Sequence, residues 1–223
     1  MGARQNEKAE TPPSTDGSLR AVRSVIFDCD GVMFDTAGVN RAYYNHLLAS
    51  FGRPEMTDAQ FRFVHMHTVD EALAHLFPDA QRLQSVRDFR SGMDYRPFLR
   101  HLVIEPHLKP LLKRLRPQCK TAVATNRTDT MEELLKLYRL ENCFDIVVRA
   151  CDVARPKPHP DPLLRVLETF GIEAQEAIYI GDSAVDEAAA SAAGIPFIAY
   201  RNRGLQATRH IRHLSEIEVL LDL

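Results

Sequence analysis

Short apolar runs closed by polar turns recur along this chain, and helical patterns fill the stretches between them. Val22, Val25, Ile26 and Phe27 form the first run, which ends in Asp28-Cys29-Asp30-Gly31. A brief apolar run stopped by a turn signal suits a strand buried on both faces. The design repeats at residues 121–124 ahead of Thr125-Asn126, and at 144–148 ahead of a polar segment. It returns at 177–180 ahead of Gly181-Asp182 and at 196–200 ahead of Arg201-Asn202. Residues 130–138 are amphipathic at helical spacing, and residues 162–170 open with Pro162 behind Asp161, a usable helix start. Residues 186–193 are rich in Ala and stop at Gly194, a helix C-terminus signal.

Strands alternating with helices predict an α/β fold, a Rossmann-like parallel sheet with helices on both faces. Ligands of such sheets sit beyond the carboxyl ends of the strands, where the polar residues closing each run all fall. One region breaks the alternation. Residues 37–109 hold no convincing buried strand, and 40–51, 58–65, 68–77 and 79–93 read as helices. This predicts an inserted all-helical cap over 37–109, with the core built from 21–36 and 110–223. Residues 1–20 are rich in Pro, Ser, Thr, Gly and charge and read as a flexible tail.

Composition narrows the function classes. The 223 residues are 45% hydrophobic and 26% charged, the balance of an ordinary globular protein. Lys plus Arg total 28 against 30 Asp plus Glu, so no basic excess points to nucleic acid. The cluster Arg201, Arg203 and Arg209 reads as a solvated face. The four cysteines, Cys29, Cys119, Cys143 and Cys151, form no C-x-x-C pair and no zinc spacing. Reduced thiols suit a cytoplasmic protein, and no apolar run approaches the roughly 20 residues that span a bilayer.

The informative polar residues are Asp28, Asp30, Asp182 and Asp186. Strand ends place the first two in one loop, where Gly31 permits a tight turn. The segment Gly181-Asp182-Ser183-Ala184-Val185-Asp186 leads from a strand into a helix, with Asp186 about one turn beyond Asp182. Carboxylates converging at one sheet edge repel each other and need a cation, and an oxygen-rich site suits Mg2+. Lys157, between Pro156 and Pro158, offers an ammonium on a restrained backbone to offset the charge of a nucleophilic aspartate and a phosphoryl oxygen. Thr125 and Asn126 offer neutral donors to other phosphoryl oxygens. Singly, a D-x-D-G is a turn, a G-D-S a helix cap and a K-P a loop. Their joint occurrence, in order and all at strand ends, is hard to explain as structure alone and reads as a functional site.

Four motifs carry a family resemblance: VIFDCDGVMFDT at 25–36, AVATN at 122–126, RPKPHPDPL at 155–163 and YIGDSAVDEAAASAAG at 179–194. The set resembles the haloacid dehalogenase superfamily, in its phosphatase branch with a small helical cap. The resemblance implies that Asp28 attacks phosphorus and forms an aspartyl-phosphate, and that Asp30 acts as general acid and then base. It implies that Asp28, Asp182 and the backbone carbonyl of Asp30 bind Mg2+, with Asp186 orienting groups behind them. Thr125 and Lys157 are implied to hold the phosphoryl group. Dehalogenating relatives lack an aspartate at the position of Asp30, and phosphonate-cleaving relatives need a cap lysine, whereas residues 37–108 contain none. His107 stands after Pro106 where many relatives have Gly.

Within the cap, Arg62, His65 and His67 fall in the segment expected to contact substrate. The His-x-His pair shares one face only on a strand, and the context here is a helix end. The expected activity is hydrolysis of a small phosphorylated metabolite by a monomer or homodimer, with no nucleic acid or membrane partner, similar to phosphoglycolate phosphatases. The alternatives are a sugar phosphomutase of the β-phosphoglucomutase type and a non-catalytic binding scaffold.

Overall fold

The computed structural model describes residues 22–99, 102–128 and 130–223; the expected tail over 1–20 lies outside them. Five parallel strands follow the apolar runs: β1 (Ser24–Phe27), β4 (Lys120–Ala124), β5 (Ile146–Val148), β6 (Ala177–Gly181) and β7 (Phe197–Tyr200). A further strand, β8 (Arg209–Ile211), completes a six-stranded sheet of order β5-β4-β1-β6-β7-β8. Two-residue strands β2 (Phe34–Asp35) and β3 (Val103–Ile104) pair antiparallel outside that sheet.

The strand alternation sorts side chains between two faces. Val25, Phe27, Val123, Ile178 and Ile180 join one core cluster, while Ile26, Ala122, Ala124 and Tyr179 join the other. Helices α6 (Leu108–Leu115) and α7 (Met131–Leu137) cover the first face. Helices α8 (Asp161–Phe170) and α9 (Ala184–Ala193) cover the second. Each of the latter ends at a left-handed glycine, Gly171 and Gly194. The C-terminal α10 (Glu216–Leu220) contributes Ile217 to the first face.

Between β2 and β3 lie α1 (Ala37–Ser50), α2 (Asp58–Met66), α3 (Val69–Leu76), α4 (Ala80–Ser91) and α5 (Arg96–Leu99). Capping boxes at Thr57 with Gln60 and at Thr68 with Glu71 start α2 and α3. These helices bury their own core of Tyr43, Leu47, Val64, Leu73 and Phe77. Leu108, expected within the insertion, belongs to the sheet core instead. The spacing Leu108, Leu111, Leu112, Leu115 makes one apolar stripe, and all four side chains join the core cluster that holds Val25 and Phe27.

Candidate active site

Register brings three chain segments to one edge. Phe27 lies opposite both Val123 and Ile180, so Asp28, Thr125 and Asp182 leave adjacent strands at nearly the same level. The Asp28 amide donates to the Ile180 carbonyl at 2.9 Å, and the Thr125 amide to Val148 at 3.0 Å. Gly31 has φ +85°, and a Cβ there would stand 2.0 Å from Asp182 Oδ2, so any other residue would be strained and would displace that carboxylate.

Lys157 is the hub of this edge. Its ammonium donates to Asp28 Oδ1 at 2.6 Å, Asp186 Oδ1 at 2.7 Å and the Tyr179 hydroxyl at 2.8 Å, which uses all three of its protons. The residue is only 3% exposed. Burial alone would depress its pKa, yet Asp186 and Asp28 raise it above the usual lysine range. Asp186 is fully buried and engaged at both oxygens. Oδ1 accepts from Lys157 and Tyr179, and Oδ2 accepts from the Ser183 amide and hydroxyl at the start of α9. Burial pushes its pKa up, but Lys157, Ser183 and Tyr179 together bring it below the ordinary carboxylate value.

Asp28 and Asp182 behave oppositely. Burial, opposed by Lys157 but reinforced by Asp186 and Asp30, raises Asp28 to about 7. Burial with Asp186 and Asp28 raises Asp182 to about 8. Carboxylate oxygens of Asp28, Asp182 and Asp186 lie within 4.8 Å of one another. An all-oxygen cluster in which Asp28 and Asp182 are both raised by burial and by their neighbouring carboxylates fits a hard divalent cation such as Mg2+.

Asp30 faces elsewhere. Its carboxylate accepts from Arg127 Nε at 3.0 Å and from an Arg127 terminal nitrogen at 2.8 Å. Arg127 also donates to the Thr130 hydroxyl at 2.9 Å and, through its amide, to Thr125 Oγ1 at 3.1 Å. Burial alone would raise the Asp30 pKa, but Arg127 holds it below the ordinary value. Asn126 donates to the Lys157 carbonyl at 3.1 Å, steadying the loop that carries the ammonium. Burial and the neighbouring Asp30 carboxylate raise the Cys29 thiol well above its ordinary value.

Two openings flank Asp30 and Asp182. A cavity of about 60 Å³ is lined by Asp30, Asn126, Arg127, Tyr43, Tyr95 and His67. A larger cleft of about 570 Å³ is lined by Gly31, Asp182, His65, Glu105 and Asn202. His65 and His67 thus border different openings. The first contacts Asn40 at 3.1 Å; the second stacks on Phe63. Arg62 is exposed on α2 and lines neither opening. Sequence reasoning missed Arg127 and Tyr179. Arg127 sits one residue past the Thr125-Asn126 pair, and Tyr179 is hidden inside an apolar strand.

The profile of the haloacid dehalogenase-like hydrolase family matches residues 25–200. A phosphoglycolate phosphatase of Xanthomonas campestris is 31% identical over 189 residues, spanning 81% of this chain and 84% of that protein. A haloacid dehalogenase superfamily hydrolase of subfamily IA from Geobacter sulfurreducens is 39% identical, with a TM-score of 0.74 over 93% of this chain and 99% of its own. CbbY of Rhodobacter sphaeroides, solved with phosphate, shares the fold at 20% identity, with a TM-score of 0.76 over 91% of this chain and 100% of its own.

Proposed function

We propose that Asp28 is the nucleophile of this chain, which belongs to the haloacid dehalogenase-like hydrolase family and is a phosphatase. The observation that carries the reading is the Lys157 ammonium, placed 2.6 Å from Asp28 and 2.7 Å from Asp186. It fixes one oxygen of Asp28 and leaves the other to attack phosphorus in line. The bond from phosphorus to the leaving oxygen breaks, and an aspartyl-phosphate forms. Water then cleaves that intermediate, releasing phosphate and restoring Asp28.

Thr125 Oγ1 already accepts from the Arg127 amide, so its own proton is available to a phosphoryl oxygen. Lys157 supplies a fixed positive charge to the equatorial oxygens as charge spreads over them. Asp30, ionised by Arg127, is in the form that takes a proton from the hydrolytic water. Its earlier task, protonating the leaving oxygen, requires it to carry a proton and loosen from Arg127. Asp28 and Asp182 would hold Mg2+, whose charge would neutralise both carboxylates and draw the phosphoryl group into the site.

The segment between Asp35 and Val103 acts in this reading as a cap over the cleft, with His65 and His67 toward the substrate. The four unpaired cysteines support a cytoplasmic setting. The substrate is a small phosphorylated metabolite, and the similarity to phosphoglycolate phosphatases puts phosphoglycolate first in any panel. The test is phosphate release from such a panel, with magnesium and with chelator, using Asp28→Asn as control. Magnesium-dependent release that vanishes in the variant is expected. Near-normal release by Asp28→Asn would remove Asp28 as nucleophile, and turnover only with an added sugar bisphosphate would mark a mutase.

A further inference from the structure

A second cluster of ligating side chains lies apart from the carboxylate edge, where the chain returns from the inserted helices. Glu105 follows β3, His107 precedes α6, and His213 stands between β8 and α10. One ligand atom from each lies within 4.8 Å of the other two. The two imidazole rings face each other edge to face, with centroids 5.7 Å apart.

The hydrogen bonds to the buried Glu105 carboxylate come from neutral groups. The residue is 6% exposed. Its short contact is to the His107 amide at 2.6 Å; the Tyr200 hydroxyl and the Leu214 amide stand at 3.4 and 3.5 Å. Among the described residues no Lys, Arg or His forms an ion pair with it. The nearby Arg201 donates to the Arg212 carbonyl at 2.9 Å and lies over the Tyr200 ring. A buried carboxylate without a cation is costly, and two imidazoles beside it supply the other ligands of a metal site.

We propose that Glu105, His107 and His213 form a binding site for a divalent transition metal of the Zn2+ class, separate from the carboxylate edge. Two imidazole nitrogens and one carboxylate select borderline ions over Mg2+ and Ca2+, which take oxygen ligands. The same donor set, with an open fourth position for water, is a known zinc arrangement. Tetrahedral ligands at zinc distances stand about 3.3 Å apart, within the 4.8 Å that already bounds the three ligand atoms, and His213 is exposed. Glu105 donates its amide to Met33 at 2.9 Å, so an ion here ties the returning strand and the loop after Asp30 to the C-terminal segment.

The test uses full-length protein, stripped of metal and held in excess Mg2+ to saturate the carboxylate edge. Titration with Co2+ should raise visible absorption bands that saturate at one equivalent, and calorimetry with Zn2+ should give the same stoichiometry. Both should persist in Asp182→Ala. Both should weaken about 100-fold or more in His213→Ala and in His107→Ala, since removing a direct ligand costs at least as much as losing a group behind one. Glu105→Gln, which keeps the shape and removes the charge, should weaken binding as well. Circular dichroism of His213→Ala, a change at an exposed side chain, checks that folding is intact. Absence of the bands, their survival unchanged in His213→Ala, or their loss in Asp182→Ala would each overturn the site.

Discussion

Replacing Arg127 by Leu isolates the pairing that holds Asp30 ionised. Arg127 is 7% exposed and its Asp30 partner 20%, so the variant leaves a largely buried carboxylate with no cation. The protein can relieve that charge by protonating Asp30. Bringing a carboxylate of ordinary pKa 3.8 to the neutral form at pH 7 costs about 1.4 kcal/mol per unit over roughly 3 units, or about 4 kcal/mol. Breaking one side of a buried pair costs about 3–5 kcal/mol by experience with other proteins, so the two routes agree. Urea unfolding at pH 7 should show a loss near 4 kcal/mol, falling at pH 5 because protonation is then easier. In an Asp30→Asn background the charge is already gone, so Arg127→Leu should cost about 2–3 kcal/mol less. Equal costs in the two backgrounds, or a cost that does not change with pH, would refute the reasoning.

Other expectations follow from the same edge. A Cβ at Gly181 would come within 2.4 Å of Asp186 Cβ, so Gly181→Ala should cost about 1–3 kcal/mol and lower turnover by displacing Asp186 from Lys157; an unchanged urea midpoint and rate would contradict this. In chelated protein, Asp28 and Asp182 are raised to about 7 and 8, so between pH 4 and 8 the folded state binds more protons than the unfolded one. The linkage sign is then negative, and metal-free stability should fall as pH rises through that window. Magnesium should restore more stability at pH 8 than at pH 5, because fewer protons need to be displaced; a magnesium effect on Tm that is equal at both values would sink this.

The parts of the molecule legible in advance are those whose signal is local. The buried strands announce themselves as apolar runs, and Asp28, Thr125 and Asp182 could be read because each terminates one. Lys157 could be read from its flanking prolines. Strand β8 escaped because Arg209 and His210 are exposed and leave no apolar run. Helix α6 was hidden by its place beside the inserted helices, although its leucine stripe was available. Arg127 and Tyr179 escaped for a different reason. Their work depends on Asp30, 97 residues from the arginine, and on Asp186, 7 residues from the tyrosine, contacts that no periodicity encodes. Arg62, expected with His65 and His67 in the segment facing the site, is exposed and lines neither opening.

The antiparallel pair at the neck of the insertion has an evolutionary consequence. Phe34 faces Ile104 and Asp35 faces Val103, so the chain enters the insertion and comes back from it a single ladder spacing apart, about 5 Å. The path of the remaining fold is therefore indifferent to what is carried between those two points. A tight hairpin could bridge them, and so could a larger module, without moving β1 or β4. Such a junction behaves as a socket. A different insertion can be carried between the same two residues while the carboxylate edge keeps its strands and register.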